Sequence, residues 1–299
     1  MHISISGKLG SGKSTISNIL KTNYGFQIYC TGAVQREIAS QHNLSTLEMN
    51  KMMKQDISYD HLIDDTTTKI SIEKRDETII FDSRMAWKFA VNSFKVFVTV
   101  DPFVAATRVM ANPRGDVEFY TNIEDAKLKM IERCNVECER FMDFYGVDIF
   151  DYSNYDLVID STCVTADELA SNVYSKYKEF LKADTKSSDI LLSPTSLYPL
   201  AKANNINVDT LHYHQKSRNY LIDPVSIVVF NGYHYIIDGH HRTLAAILND
   251  EKLIKVTMAD KCTENFISEI QAIGLSAVYD FEEIGRFRYK SYPDLYIAN

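Results

Sequence analysis

The chain has 299 residues, 45% hydrophobic and 24% charged, with 11 glycines and 6 prolines, a composition that excludes disordered and fibrous classes. Its 32 lysines and arginines against 40 aspartates and glutamates leave a formal charge of −8, shared in sign by both halves, which argues against nucleic acid as the partner. No apolar run nears a membrane span, the N-terminus lacks signal-peptide character, and five scattered cysteines without a CxxC pair point to a reducing cytoplasm rather than a disulfide framework or zinc site.

The length suggests two domains. In the first, strand character marks HISIS (2–6), FQIYC (26–30), TIIFD (78–82), KVFVTV (95–100) and YDLVID (155–160). Helical spacing follows Lys13, begins again near Ala33, and covers roughly 45–74, 102–111, 122–145 and 165–182. This alternation over residues 1–183 predicts an α/β domain, a parallel five-stranded sheet with helices on both faces. Ligands of such sheets sit beyond the carboxyl ends of the strands, so the residues that follow each strand are the candidates.

After the first strand comes GKLGSGKST: Gly7, then Gly10, Ser11, Gly12, Lys13, Ser14 and Thr15. Gly7, Gly12, Lys13 and Ser14 have the spacing of a phosphate-binding loop, with the strand before and the helix after that the motif requires. Glycines let backbone N–H groups converge on phosphate oxygens, and the helix N-terminus adds a favourable dipole. Lys13 would reach a transferred phosphoryl group and Ser14 would coordinate Mg²⁺.

Arg36 opens the helix after the second strand and is either an acceptor-side contact or a surface arginine. Asp82 ends the third strand, followed by Ser83 and Arg84; it would hold Mg²⁺ together with Ser14, or cap a short helix from Met85. Arg108 and Arg114 lie in the segment after the fourth strand. Arg133, Glu137 and Arg140 share one helix face by their spacing, either as a surface ion-pair ladder or as guanidinium forks closing over phosphates. Cys134 and Cys138 read as packed thiols.

The segments ISISGKLGSGKST, TGAVQREIA, IIFDSRMAW and RCNVECERFMDFYGVDIFDYSNYDLVIDST resemble the cytidylate kinases, nucleoside monophosphate kinases of the P-loop class. The resemblance implies transfer of the γ-phosphate of ATP, with Mg²⁺, to a nucleoside monophosphate or similar small phosphorylated acceptor. It implies that Lys13 and Ser14 serve ATP, that Arg36 and Arg84 hold the acceptor phosphate, that Arg133, Glu137 and Arg140 contact acceptor and transferring phosphate, and that Arg108 and Arg114 lie near the lid. Ser83 stands where the family usually has glycine, and the segment ANPRGDVEF is less basic than family lids, so the acceptor stays open.

Residues 183–189 read as a linker. Beyond them ILLSPTSLYPLAK precedes a helical region with His212 and His214, read as ordinary polar positions. Val225–Phe230 and Tyr233–Ile237 are two strands joined by Asn231-Gly232, a hairpin signal. Asp238, Gly239, His240, His241 and Arg242 then open a helix, able to bind phosphate, to perform acid–base work or simply to cap the helix start. LIKVTMAD (253–260) is a further strand, and 264–299 reads as a helix followed by a Tyr- and Phe-rich stretch. DPVSIVVF and YIIDGHHRTLAA resemble the ParB/sulfiredoxin-like domain, which implies a smaller α+β domain over 190–299 with a second nucleotide at DGHHR. Two alternatives remain beside the kinase expectation: a free-serine-type kinase or nucleotide hydrolase in the second domain, and a non-catalytic nucleotide sensor.

Overall fold

The computed structural model describes residues 1–32, 39, 44–112, 120–184, 187–199, 207–230 and 233–259. They form two compact units, one made of Met1–Ser161 and Thr165–Ser188, the other of Thr162–Val164 and the chain from Asp189 onward.

The first unit runs β1 (His2–Gly7), α1 (Lys13–Tyr24), β2 (Gln27–Cys30), α2 (Thr46–Gln55), α3 (Ser58–Glu73), β3 (Ile79–Asp82), α4 (Ala86–Phe89), β4 (Ser93–Thr99), α5 (Pro102–Ala111), α6 (Ile123–Tyr145), β5 (Leu157–Asp160) and α7 (Ala166–Lys182). The strand order is β2-β3-β1-β4-β5, and every pairing is parallel, with Ile5 opposite both Asp82 and Val96 and Val98 opposite Ile159. Alternating residues of β1, from Ile3 and Ile5 to Ser4 and Ser6, are all buried. A strand buried on both faces is what a parallel sheet covered by helices requires. The five strands and their parallel arrangement follow the sequence expectation.

One helical stretch expected over roughly 45–74 is in fact two. Asp56 leaves α2 with extended backbone, φ −136° and ψ 100°, and its side chain accepts from the Ser58 amide at 3.0 Å. That local bond offers the backbone an alternative to continued helix. A capping box, Ser45 with Glu48, starts α2, another, Thr165 with Glu168, starts α7, and Asn122 caps α6. Such caps satisfy amide groups that the first turn leaves without partners. The helix expected from Ala33 lies outside the described residues.

The second unit contains β6 (Asp189–Leu192), β7 (Leu197–Pro199), α8 (Val208–Ser217), β8 (Val225–Phe230), β9 (Tyr233–Asp238), α9 (His240–Leu248) and β10 (Ile254–Met258). Its strands lie in the order β6-β10-β8-β9-β7 and pair both ways: β8 with β9 and β10 with β6 antiparallel, β10 with β8 and β9 with β7 parallel. The mixed sheet closes over Tyr220, Val225, Ile227, Ile236 and Leu244, all fully buried. Strands β6 and β7 carried too few residues to show alternation. The Asn231-Gly232 turn and the segment 264–299 lie outside the described residues.

Candidate active site

The sequence after β1 turns into α1 on three glycines with positive φ, at 145°, 72° and 81° for Gly7, Gly10 and Gly12. At Gly7 a Cβ atom would sit 2.2 Å from the Val98 carbonyl oxygen, because β4 runs directly alongside. At Gly12 a Cβ would meet nothing within 4 Å, so there the backbone faces open space at the N-terminus of a helix, where an anion is favoured. Lys13 follows and donates from Nζ to the Gly7 and Lys8 carbonyls at 2.9 and 2.8 Å. Ser11 Oγ is buried with no hydrogen-bond partner.

The end of β3 lies beside this loop through the parallel register of β1 with β3. Ser14 Oγ donates to Asp82 Oδ2 at 3.0 Å, joining the two residues expected to hold Mg²⁺. Asp82 does not cap α4: no side chain caps that helix. Among the described residues no group of three or more His, Cys, Asp or Glu is gathered as for a metal ion. A hydroxyl and a carboxylate fit Mg²⁺ nonetheless, since that ion takes one or two protein oxygens and completes its shell with water and phosphate. The open backbone at Gly12, the orphaned Ser11 hydroxyl and this oxygen pair suit a nucleotide's phosphates with the metal. Thr15 is exposed and does not line the cleft.

Across from the loop stands α6. Arg84 Nε and Arg133 Nε donate to the two oxygens of Glu137 at 2.8 and 3.0 Å. Arg84 also donates to the Gly7 carbonyl, and Arg133 Nη1 donates to Thr46 Oγ1 at 3.2 Å. Burial alone would raise the Glu137 carboxyl, but the guanidiniums of Arg84, Arg133 and Arg140 outweigh it and hold it at about 2. Glu137 and Arg140 are 4% and 3% exposed, so this face of α6 is not a solvated ladder. Arg140 stacks beside Phe141, 4.8 Å from the ring centroid, and neither its Nε nor its Nη1 makes a hydrogen bond.

Gly10 to Ser14, Asp82, Arg84, Arg133, Glu137 and Arg140 line one cleft. Of the other expected residues, Arg108 is elsewhere, bonded through its two terminal nitrogens to the Ser161 hydroxyl and carbonyl at 3.0 and 2.6 Å beyond the end of β5. Arg36 and Arg114 lie outside the described residues. Cys134 and Cys138 are half-buried thiols on α6 and form no disulfide.

Sequence reading missed Asp60, Asp64, Thr46 and Tyr145. Asp60 Oδ2 lies 3.4 Å from Arg140 Nε, and Tyr145 donates its hydroxyl to Asp64. Burial raises both carboxyls, Asp64 to about 7 against the pull of the Tyr145 hydrogen bond. Within SYDHLIDDTTTK these aspartates stand among other polar residues. Their spacing of four was the one available signal.

In the second unit, Asp238 and Gly239 close β9 and start α9, with Gly239 at φ 102° and no side-chain cap on the helix. Arg242 is 7% exposed and pairs with Asp223 and Asp238, while donating to the Asp223 and Pro224 carbonyls at 3.1 Å each. Its guanidinium thus ties the helix start to the chain before β8. His241 Nε2 accepts from the Asn207 amide at 3.0 Å. Burial lowers the imidazole of His240, and that of His241 likewise, helped there by nearby His214.

The profile of the Cytidylate kinase-like family matches residues 2–163. A cytidylate kinase of Methanoregula boonei is 28% identical over 188 residues, 63% of this chain and 100% of its own length. One from Sulfurisphaera tokodaii is 31% identical over 183 residues, 61% of this chain and 98% of its own. A solved shikimate kinase from Bacteroides thetaiotaomicron aligns with 61% of this chain and 99% of its own at 13% identity and a TM-score of 0.40.

Proposed function

Since the chain belongs to the Cytidylate kinase-like family, we propose that it is a kinase that moves the γ-phosphoryl group of ATP to a nucleoside monophosphate. One observation carries this reading: the glycine loop, the Ser14–Asp82 pair and the guanidiniums of Arg84, Arg133 and Arg140 line the same cleft. In this reading the amides from Gly10 to Ser14 cradle the polyphosphate, and the Lys13 ammonium exchanges its two carbonyl partners for phosphate oxygens. Ser14 and Asp82 would hold Mg²⁺, which when bound supplies neutralisation of the triphosphate charge. Arg84, Arg133 and Arg140 orient the acceptor phosphate, one of whose oxygens forms the new bond to phosphorus as the bond to the departing ADP oxygen breaks. Glu137 fixes two of these arginines, so the site contributes position and charge rather than a strong base.

Arg108, fixed beyond β5, is three residues past Ala105, whose backbone abuts Gly10. From that proximity we assign it to the ATP side rather than the acceptor side. Arg36 as acceptor contact and Arg114 near the lid are carried by the family resemblance, and a cytoplasmic location by the five scattered cysteines without a disulfide pattern. Among the described residues no helix is long and apolar enough to cross a membrane.

ADP release from Mg-ATP, measured against each ribo- and deoxynucleoside monophosphate, tests the assignment. Lys13→Ala should lower kcat by at least about 10³-fold, as loss of a charge on the transferring group implies, with an unchanged melting profile. Unaltered turnover in that variant would remove the loop from the chemistry.

For the second unit the reading is a ParB/sulfiredoxin-like module that binds a second nucleotide phosphate at Gly239–His241. The support is a helix start without a side-chain cap, where amides and dipole favour an anion. Arg242 is occupied by its two carboxylates, which favours binding over phosphoryl transfer there.

A further inference from the structure

Beside the phosphate loop stands a thiol that phosphoryl transfer does not use. Cys30 ends β2, and the parallel register of β2 with β3 sets it directly opposite Asp82. Its side chain is half-buried, in no disulfide, and lines the same cleft as the loop. Cys30 Sγ donates to Asp82 Oδ2 at 3.8 Å, and Ser14 Oγ donates to that same oxygen at 3.0 Å. Donors from β2 and α1 thus converge on one carboxylate oxygen of β3. Ligands that share a tetrahedral ion at about 2.0–2.3 Å stand about 3.3–3.6 Å from one another, so both separations are within about 0.3 Å of a ligand edge. With a hydroxyl as its third member, the trio falls outside groups made only of His, Cys, Asp and Glu, of which the described residues hold none of three or more. Independently, Ser11 Oγ of the loop is 1% exposed and lacks a hydrogen-bond partner, which calls for a polar ligand in this cleft. Sulfur is a poor ligand for Mg²⁺, a hard ion that takes oxygen, whereas a thiolate selects Zn²⁺ and similar softer ions.

Resting on the Mg²⁺–ATP reading of this cleft, we propose that Ser14, Cys30 and Asp82 form an inhibitory site for a thiophilic divalent cation of the Zn²⁺ class. On binding, the Cys30 S–H bond breaks, its proton leaves to solvent, and the sulfur electron pair forms the bond to the metal. The Asp82 carboxylate supplies the second negative charge, and Ser14 Oγ turns a lone pair to the ion in place of its hydrogen bond. Three protein atoms leave a tetrahedral ion one open position. An ion that serves phosphoryl transfer bridges the β- and γ-phosphate oxygens, which takes two. An octahedral Mg²⁺ on the two oxygens of Ser14 and Asp82 keeps four positions for phosphate and water. The thiophilic ion therefore occupies the carboxylate that Mg²⁺ needs without supporting the reaction, and Cys30 is the atom that tells the two classes of ion apart.

The test titrates Cd²⁺, a spectroscopically visible substitute for Zn²⁺, into the full reduced chain without nucleotide, following heat and thiolate-to-cadmium charge-transfer absorbance. Wild type is compared with Cys30→Ser and with the double variant Cys134→Ser, Cys138→Ser, which removes the thiol pair of α6. Cys30→Ser should weaken the binding by at least about 10-fold, since even an outer-shell partner is worth that much, and should remove the absorbance that goes with it. The double variant should keep both. In ADP-release assays with Mg-ATP and a nucleoside monophosphate, Zn²⁺ should inhibit wild type, excess Mg²⁺ should relieve the inhibition, and Cys30→Ser should raise the inhibitory concentration by at least about 10-fold. Cys30→Ala decides the matter if the serine variant fails to fold. Cd²⁺ binding that survives Cys30→Ser, or that is lost in the double variant instead, overturns the proposal. So does Zn²⁺ that supports turnover in place of Mg²⁺. Turnover of nucleoside monophosphates alongside Cd²⁺ binding that ignores Cys30 sinks this inference alone. Cys30-dependent Cd²⁺ binding by a chain that turns over none of them sinks the kinase reading and leaves the cation site standing.

Discussion

Replacing Glu137 by Gln keeps the side chain's size and removes the charge that two arginines share. A carboxyl held at about 2 rather than its ordinary 4.5 is worth about 3 kcal/mol to the folded chain at neutral pH. Removing one member of a buried ion cluster costs about 3–5 kcal/mol by a separate route. Because the Arg84 and Arg133 side chains are 18% and 11% exposed, water screens part of this, and about 2–3 kcal/mol is the expected loss. For a unit of this size that is a fall in Tm of roughly 5–12 °C. Trp87 is the protein's one tryptophan and lies 8% exposed on α4 in the first unit, so its fluorescence follows the relevant transition. The pH dependence has a fixed sign. A depressed carboxyl stabilises fully above the unfolded value near 4.5 and loses that contribution as pH falls through the folded value near 2. The gap between wild type and Glu137→Gln should therefore shrink by more than half by pH 3. A Tm within about 2 °C of wild type at pH 7, or a gap as wide at pH 3 as at pH 7, would refute the cluster's energetic role.

Gly7→Ala places a methyl group 2.2 Å from the Val98 carbonyl and should abolish soluble expression or lower Tm steeply. Gly12→Ala meets open space and should cost only about 1–2 kcal/mol of backbone strain at φ 81°, while weakening Mg-ATP binding in calorimetry; equal effects from both would contradict the loop geometry. Asp64, with its carboxyl raised from 3.8 to about 7, makes stability fall as pH rises from about 4 to 7. Asp64→Asn should then melt higher than wild type above pH 7, by on the order of 2 kcal/mol, and match it at pH 4; a constant difference across that range would count against the buried acid. Arg242→Ala leaves the chain before β8 untied from α9 and should destabilise the second unit by about 2–4 kcal/mol, seen by circular dichroism as an earlier second transition with the tryptophan signal unchanged.

The sequence by itself determined the alternation of strand and helix in the first unit, because apolar runs such as TIIFD and KVFVTV have no other stable use than a sheet buried on both faces. It also determined the glycine loop, whose residue types are dictated locally by positive φ and close approach to β4, and the helical spacing that put Arg133, Glu137 and Arg140 on one face. Only the tertiary structure decided what those residues meet. Glu137 sits between Arg84 and Arg133, 53 residues from the first of them, and no pattern along the chain reports a pairing made by the packing of α6 against the end of β3. The burial of Asp60 and Asp64 and the commitment of Arg242 to Asp223 and Asp238 have the same origin. A charged side chain reads as solvated until its neighbours are known, since burial and partnership are properties of the fold and not of the residue.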